Sequence, residues 1–186
     1  MQLGVFPLPI VLFPGGITRL RIFEPRYIRL VKESIAGTGF ALSCYDKDHP
    51  FNSSTIAAWV EIVDFSTLDD GFLSIDIQAK SLVNLTEFSI ESDQLRKAKA
   101  TIIPHWPEQQ NSQQSQLLAK ELKLIFDVNP HFAAMYKQTD FDNPNWCCGR
   151  FVELLPIDIS DKKQFLSEQS FGVCLNFLHT LICGEK

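Results

Sequence analysis

The chain lacks any run of about 18 apolar residues, so no segment reads as a membrane span. Nor is a secretory leader expected. The N-terminus is apolar from Leu3 to Phe13, but it holds Pro7 and Pro9, carries no Lys or Arg before Arg19, and shows no small-residue cleavage site. Glycine-rich phosphate loops of the Gly-x-x-x-x-Gly-Lys-Ser/Thr type are missing, and no ATP site is expected. No His-Glu-x-x-His or Cys-x-x-Cys occurs, and His49, His105, His131 and His179 are scattered. Five cysteines (Cys44, Cys147, Cys148, Cys174 and Cys183) are an odd number that cannot close completely into intramolecular disulfides. Free thiols in a reducing compartment are therefore expected, and with them a cytoplasmic protein. The chain is expected to hold no metal, no cofactor and no catalytic residue.

An excess of positive charge is absent too. The 186 residues carry a net charge of −5, with ten basic and twelve acidic residues up to Ile103 and seven and ten beyond it. A general nucleic-acid binder has a basic balance, so nucleic acid is not the expected partner. Tyr and Trp number three each against 15 Phe. Phe has no hydrogen-bonding handle, which suits dry packing or an apolar binding surface. The hydrophobic share of 45% excludes wholesale disorder.

The first hundred residues read as strands with one helix. Pro7, Pro9 and Pro14 each remove a backbone donor, which predicts extended pieces at edges or bends rather than one central strand. Leu20 and Ile22 alternate with Arg19 and Arg21. Glu24-Pro25 then switches the period. Proline fits a first helical turn, and Tyr27, Ile28, Val31 and Ile35 follow at helical spacing until Gly37 and Gly39, predicting a helix over 25–36. Strands are predicted at Phe40–Cys44, Ile56–Ile62, Leu73–Ile77 after the Asp69-Asp70-Gly71 turn, Leu82–Ile90 and Ala98–Ile103. Beyond Pro104 the composition turns to Gln, Asn and Ser. Residues 104–115 read as a linker and 116–186 as a helical domain. Leu118, Leu122, Ile125 and Phe126 share one face there. A further helix follows Asn143-Pro144, and a last one from about Asp161 places Phe165, Cys174, Phe177, Leu178, Leu181 and Ile182 at helical spacing.

Phe6-Pro7-Leu8, Val11-Leu12-Phe13-Pro14-Gly15 and Ile22-Phe23-Glu24-Pro25-Arg26-Tyr27 together resemble the signature of the Lon protease N-terminal (substrate-binding) domain family. Glu153-Leu154-Leu155-Pro156 with Lys163-Gln164 and Leu166 is similar to the family's helical part. Three places depart from the family pattern: Ala57-Ala58, Ala79 with Leu82-Val83, and Cys174-Leu175. The resemblance implies an α+β protein, with a PUA-like β-barrel and one helix over 1–103, followed by a small helical bundle. It also implies a non-catalytic, Lon substrate-binding-like role without ATPase or peptidase domains: an adaptor or substrate-recognition protein in proteolysis or quality control. The implied partners are unfolded or extended polypeptide segments and a protease. Such segments would dock apolar side chains in a groove between barrel and bundle and add hydrogen bonds along exposed strand edges.

Candidate polypeptide contacts are Phe13, Trp106 and Trp146. The two Trp residues read equally as interface anchors or as pins between domains. Pro14, Glu24, Pro25, Arg26 and Tyr27 read as structural. Glu24 is placed to accept from the amides of the first helical turn, Tyr27 to face the sheet with Val31 and Ile35, and Arg26 to reach a carboxylate or strand carbonyl. The alternative function is RNA binding by a PUA-like barrel, through the basic patch of Arg19, Arg21, Arg26, Arg29 and Lys32.

Overall fold

In the computed structural model, which describes residues 1–184, the chain divides into two compact units, Met1–Ile103 and Pro104–Lys186. The last two residues of the expected helical domain lie outside the described residues.

The first unit holds strands β1 (Gln2–Leu8), β2 (Ile17–Ile22), β3 (Phe40–Cys44), β4 (Ile56–Thr67), β5 (Leu73–Ile90) and β6 (Arg96–Ile103), with helix α1 (Pro25–Ile35) after β2. They form one sheet in the order β2-β5-β4-β3-β1-β6, and β5 also pairs with β6. That extra pairing closes β5, β4, β3, β1 and β6 into a ring and leaves β2 outside it. Closure is possible because β5 is 18 residues long. Its first half pairs with β2 and the far end of β4, its second half with β6 and the near end of β4. The strands expected at Leu73 and Leu82 are thus one strand, bent by register shifts rather than broken by a turn.

β1 lies between β3 and β6 in the sheet: Gln2–Val5 pairs with β6, Val5–Leu8 pairs with β3, and Val5 alone is paired on both sides. Pro7 is tolerated because β6 has left the ladder by then and only the parallel pairing to β3 continues. The interior is apolar, with Leu3, Val5, Phe40, Val60, Ile75 and Ile77 all at most 2% exposed.

α1 begins at Pro25, as the Glu-Pro switch predicts, and buries Tyr27, Leu30 and Val31. Tyr27 stacks on Phe6 with ring centroids 3.8 Å apart. Ile35, expected on that buried face, is 62% exposed. In the last turn the buried row passes from Val31 to Ser34 instead, whose hydroxyl donates to the Leu30 carbonyl.

The second unit carries α2 (Gln113–Val128), α3 (Pro130–Ala133), α4 (Pro144–Leu154), α5 (Ile159–Gln164), a short 3-10 turn and α6 (Phe171–Cys183). The segment 104–115, expected as a linker, is fastened to this unit. Trp106 is buried and its indole N–H donates to Ser170. The Asn145 amide donates to the carbonyls of Trp106 and Pro107, and Asn111 donates to Asp142. Ser112 then starts α2 with a reciprocal cap: its hydroxyl accepts from the Ser115 amide, and the Ser115 hydroxyl accepts from the Ser112 amide. α4 is buried on every side from Trp146 to Val152, as befits a central helix. In α6, Cys174 and Leu178 point inward, but Leu181 is exposed, contrary to the single apolar face expected there.

No helix among the described residues is long and apolar enough to cross a membrane.

Candidate functional site

Phe13, Trp106 and Trp146 are 1%, 6% and 8% exposed. None offers a ring to an arriving chain, which corrects their expected role as surface anchors. Trp106 stacks on His105, with Phe171 edge-on to it. Trp146 sits in a cluster with Phe126, Tyr136 and Phe141, its ring 5.3–5.8 Å from theirs. In sequence, their positions beside a polar segment and at a helix start suggested exposure. The contacts that bury them include Phe126, 20 positions from Trp146, and Phe171, 65 positions from Trp106.

His105 belongs to the same packing. Its Nε2 lies 3.1 Å from the Phe165 carbonyl, which can only accept, so Nε2 carries the proton. Burial pushes the imidazole below its ordinary 6.5, and the hydrogen bond to Phe165 opposes this only in part. A depressed imidazole favours the folded state above its ordinary pKa, and that contribution is lost as pH falls through the folded value. The melting temperature of the second unit should therefore drop between pH 7 and pH 5.5. His105→Gln, which keeps a donor for Phe165, should flatten that dependence in pH-stepped thermal melts.

The basic stretch is electrostatically closed. Arg19 makes a bidentate pair with Asp76 at 2.6 and 2.8 Å. Arg21 reaches Asp70 at 2.7 Å, and Arg26 reaches Glu24 at 2.6 Å. Arg29 contacts Glu91, Asp93 and Glu33. Lys32 lies in the last turn of α1, where its charge meets the negative end of the helix dipole. Four arginines already matched to carboxylates make a poor phosphate track, which disfavours the RNA reading.

Glu24 does not cap α1 with its side chain; its backbone carbonyl accepts from Tyr27 and Ile28, while its carboxylate turns to Arg26. Arg26 also donates to the Gln94 carbonyl, and it lies over the Tyr27 ring. A pair this exposed contributes at most about 1 kcal/mol. Glu24→Ala and Arg26→Ala should each lower the melting temperature by a few degrees at most and leave polypeptide binding intact, read by differential scanning calorimetry beside a binding titration.

A recess of about 360 Å³ opens on the first unit, at the end of α1. The chain leaves the helix through Gly37-Thr38-Gly39 and enters β3 at Phe40. β3 covers only Ala57–Val60 of β4, so from Glu61 to Thr67 the outer edge of β4 has no strand partner among the described residues. Ser34, Ile35 and the two glycines form one wall, and Glu61 to Phe65 form the other. Ile35 and Phe65 are 62% and 66% exposed, so two apolar side chains flank a free edge. The Phe65 amide is turned to its neighbour Asp64, whose carboxylate accepts from it at 2.9 Å. Sequence alone places Ile35 on the apolar face of the first helix and leaves Phe65 beyond the strand expected at Ile56–Ile62. Their exposure follows from where β3 begins, a non-local fact.

No group of His, Cys, Asp and Glu among the described residues could hold a metal ion. The thiols are packing groups: Cys44, Cys147, Cys148 and Cys174 are buried. Burial raises the Cys147 thiol to about 12, and a hydrogen bond to Cys174 together with burial raises Cys148 as well.

A model of the substrate-binding domain of the ATP-dependent protease La (LON) matches residues 2–182. The chain belongs to that family. The crystal structure of a Lon N-terminal domain protein from Xanthomonas campestris is similar at 23% identity and a TM-score of 0.73, over 96% of both chains. The N-terminal domain of the Mycobacterium avium complex Lon protease is similar at 11% identity and a TM-score of 0.67, over the whole of both chains. At these identities the likeness is one of fold. No curated protein matches the sequence. The departures of this Lon substrate-binding domain from the family pattern fall mostly in its interior: Ala57, Ala58, Ala79, Leu82, Val83 and Cys174 are buried, and Leu175 is half-buried. They adjust core packing and leave the recess untouched.

Proposed function

We propose that this domain is a non-catalytic module that binds unfolded or extended polypeptide segments, as the recognition part of a cytoplasmic proteolytic or quality-control system that includes a protease. The observation that carries the reading is the open edge of β4 from Glu61 to Thr67, flanked by exposed Ile35 and Phe65. An extended segment laid along that edge gains main-chain hydrogen bonds, as strand addition does elsewhere, and its side chains meet the apolar flanks. Main-chain pairing accepts many sequences, which suits recognition of unfolded chains. Membership of the Lon substrate-binding family supports the same reading.

Titrating a fluorescently labelled, permanently disordered polypeptide tests it. Binding should weaken several-fold in Phe65→Ala while the melting temperature holds, since Phe65 is mostly exposed. No binding by the parent, or equal binding by parent and Phe65→Ala, overturns the assignment to this edge.

A further inference from the structure

The two faces of the open edge differ in chemistry, and the difference specifies a ligand. Residues paired across a sheet share a face. Phe65 pairs with Ile75, which pairs with Leu20, and Ile62 pairs with Ile77, so Ile62 and Phe65 lie on the apolar face. Asp64 pairs with Asp76, which pairs with Arg19, and Glu61 pairs with Gln78, so both carboxylates lie on the polar face. The register shift between Ile62 and Asp64 lets Ile62 and Phe65 share a face although they are an odd number of positions apart. The recess is lined by Glu61 and Asp64 but by no basic side chain, and the carbonyl end of α1 opens beside it with its partial negative charge. The nearby cations are engaged or do not line the recess: Lys80 bridges to Glu61 at 3.2 Å, Arg19 is held by Asp76, and Lys32, in the last turn of α1, is not a lining residue.

The geometry points to an extended segment of about seven residues that alternates apolar and basic side chains, added as a strand along Glu61–Thr67 of β4. This inference rests on the polypeptide-binding reading above and names its ligand class. Side chains of an added strand alternate between faces with period two. Apolar positions meet Ile62, Phe65 and Ile35, while basic ones meet Glu61 and Asp64. The seven edge residues span about 20 Å at ~3.3 Å per residue, which sets the length.

Four labelled heptapeptides make the test: leucine alternating with lysine, with serine and with glutamate, and a block peptide with the lysine peptide's composition. The block peptide separates register from plain attraction to a protein of net charge −5. An exposed charge pair is worth about two- to five-fold in affinity, so the alternating lysine peptide should bind roughly 4- to 25-fold more tightly than the serine and block peptides. The glutamate peptide should bind most weakly. Raising the salt should narrow these ratios. Glu61→Gln/Asp64→Asn, which keeps the acceptor for the Phe65 amide, should bring the lysine peptide to the serine level without changing the melting temperature. Equal affinity for the alternating and block lysine peptides overturns the inference, as does retention of the preference in the double variant. Either result leaves polypeptide binding standing if the disordered chain still binds through Phe65. Loss of every peptide and of the disordered chain overturns both.

Discussion

Glu153→Ala should be among the most damaging single substitutions in the second unit, lowering its stability by about 3–5 kcal/mol. Arg150 has no exposed side-chain surface, and Glu153 has 10%. The carboxylate holds two guanidinium nitrogens at 2.7 Å, and the guanidinium also lies over the Trp146 ring. Burial works against the charge of Arg150, and Glu153 overrides it, so the group titrates above its ordinary range. Removing Glu153 takes two charge-assisted hydrogen bonds from a guanidinium that stays fully buried on α4. For a chain of this length the loss corresponds to roughly 10 °C or more in melting temperature. Arg150→Met/Glu153→Leu removes both charges and should recover most of it, because apolar residues of similar volume avoid the desolvation cost. Calorimetry with tryptophan fluorescence as a second probe checks this, since Trp106 and Trp146 both lie in this unit. A melting temperature for Glu153→Ala within 2 °C of the parent would refute the buried-pair account.

Much of this architecture is legible from local chemistry. Glu24-Pro25 starts α1, Asp69-Asp70-Gly71 turns β4 into β5, and Asn143-Pro144 starts α4, where the Asn143 side chain accepts from the amides of Asn145 and Trp146. Such signals act within a few residues, so they read true in isolation. Features set by distant partners are not legible. Arg19 looked like part of a basic surface because Asp76 lies 57 positions away. β1 looked like an edge because its neighbours on both sides, β3 and β6, come later in the chain. Phe13, Trp106 and Trp146 could not be told from surface anchors, since an aromatic ring has the same sequence signature in a core as at an interface. The candidate site follows the same logic: its carboxylates, its two apolar flanks and its helix are all visible in the sequence, but the open edge depends on where one strand stops covering another.

That stopping point is set by Gly39, and Gly39→Ala should cost the first unit about 3 kcal/mol or more. The residue has φ +76°, the left-handed region that costs an L-residue roughly 1–2 kcal/mol. A Cβ there would sit 2.0 Å from the Val60 carbonyl oxygen and 3.1 Å from its carbon, and both are backbone atoms of β4. No rotamer change relieves a backbone clash, so either the turn or the strand must move. Moving the turn pulls Phe40, which is wholly buried, off its pairing with Val60. It also strains the hydrogen bond from the Trp59 indole to the Thr38 carbonyl. Gly37→Ala is the control. It needs no left-handed backbone, and its nearest contact is the Glu33 carbonyl at 3.1 Å, so its cost should stay near 1 kcal/mol or below. Thermal melts should thus separate the two variants by about 5 °C or more, with Gly39→Ala the lower. Because Gly39 also lines the recess, the same variant should weaken polypeptide binding at a temperature where it is still folded. Equal melting temperatures for Gly37→Ala and Gly39→Ala would show that the turn yields without strain, and that the edge of β4 is not held open by the geometry of this glycine.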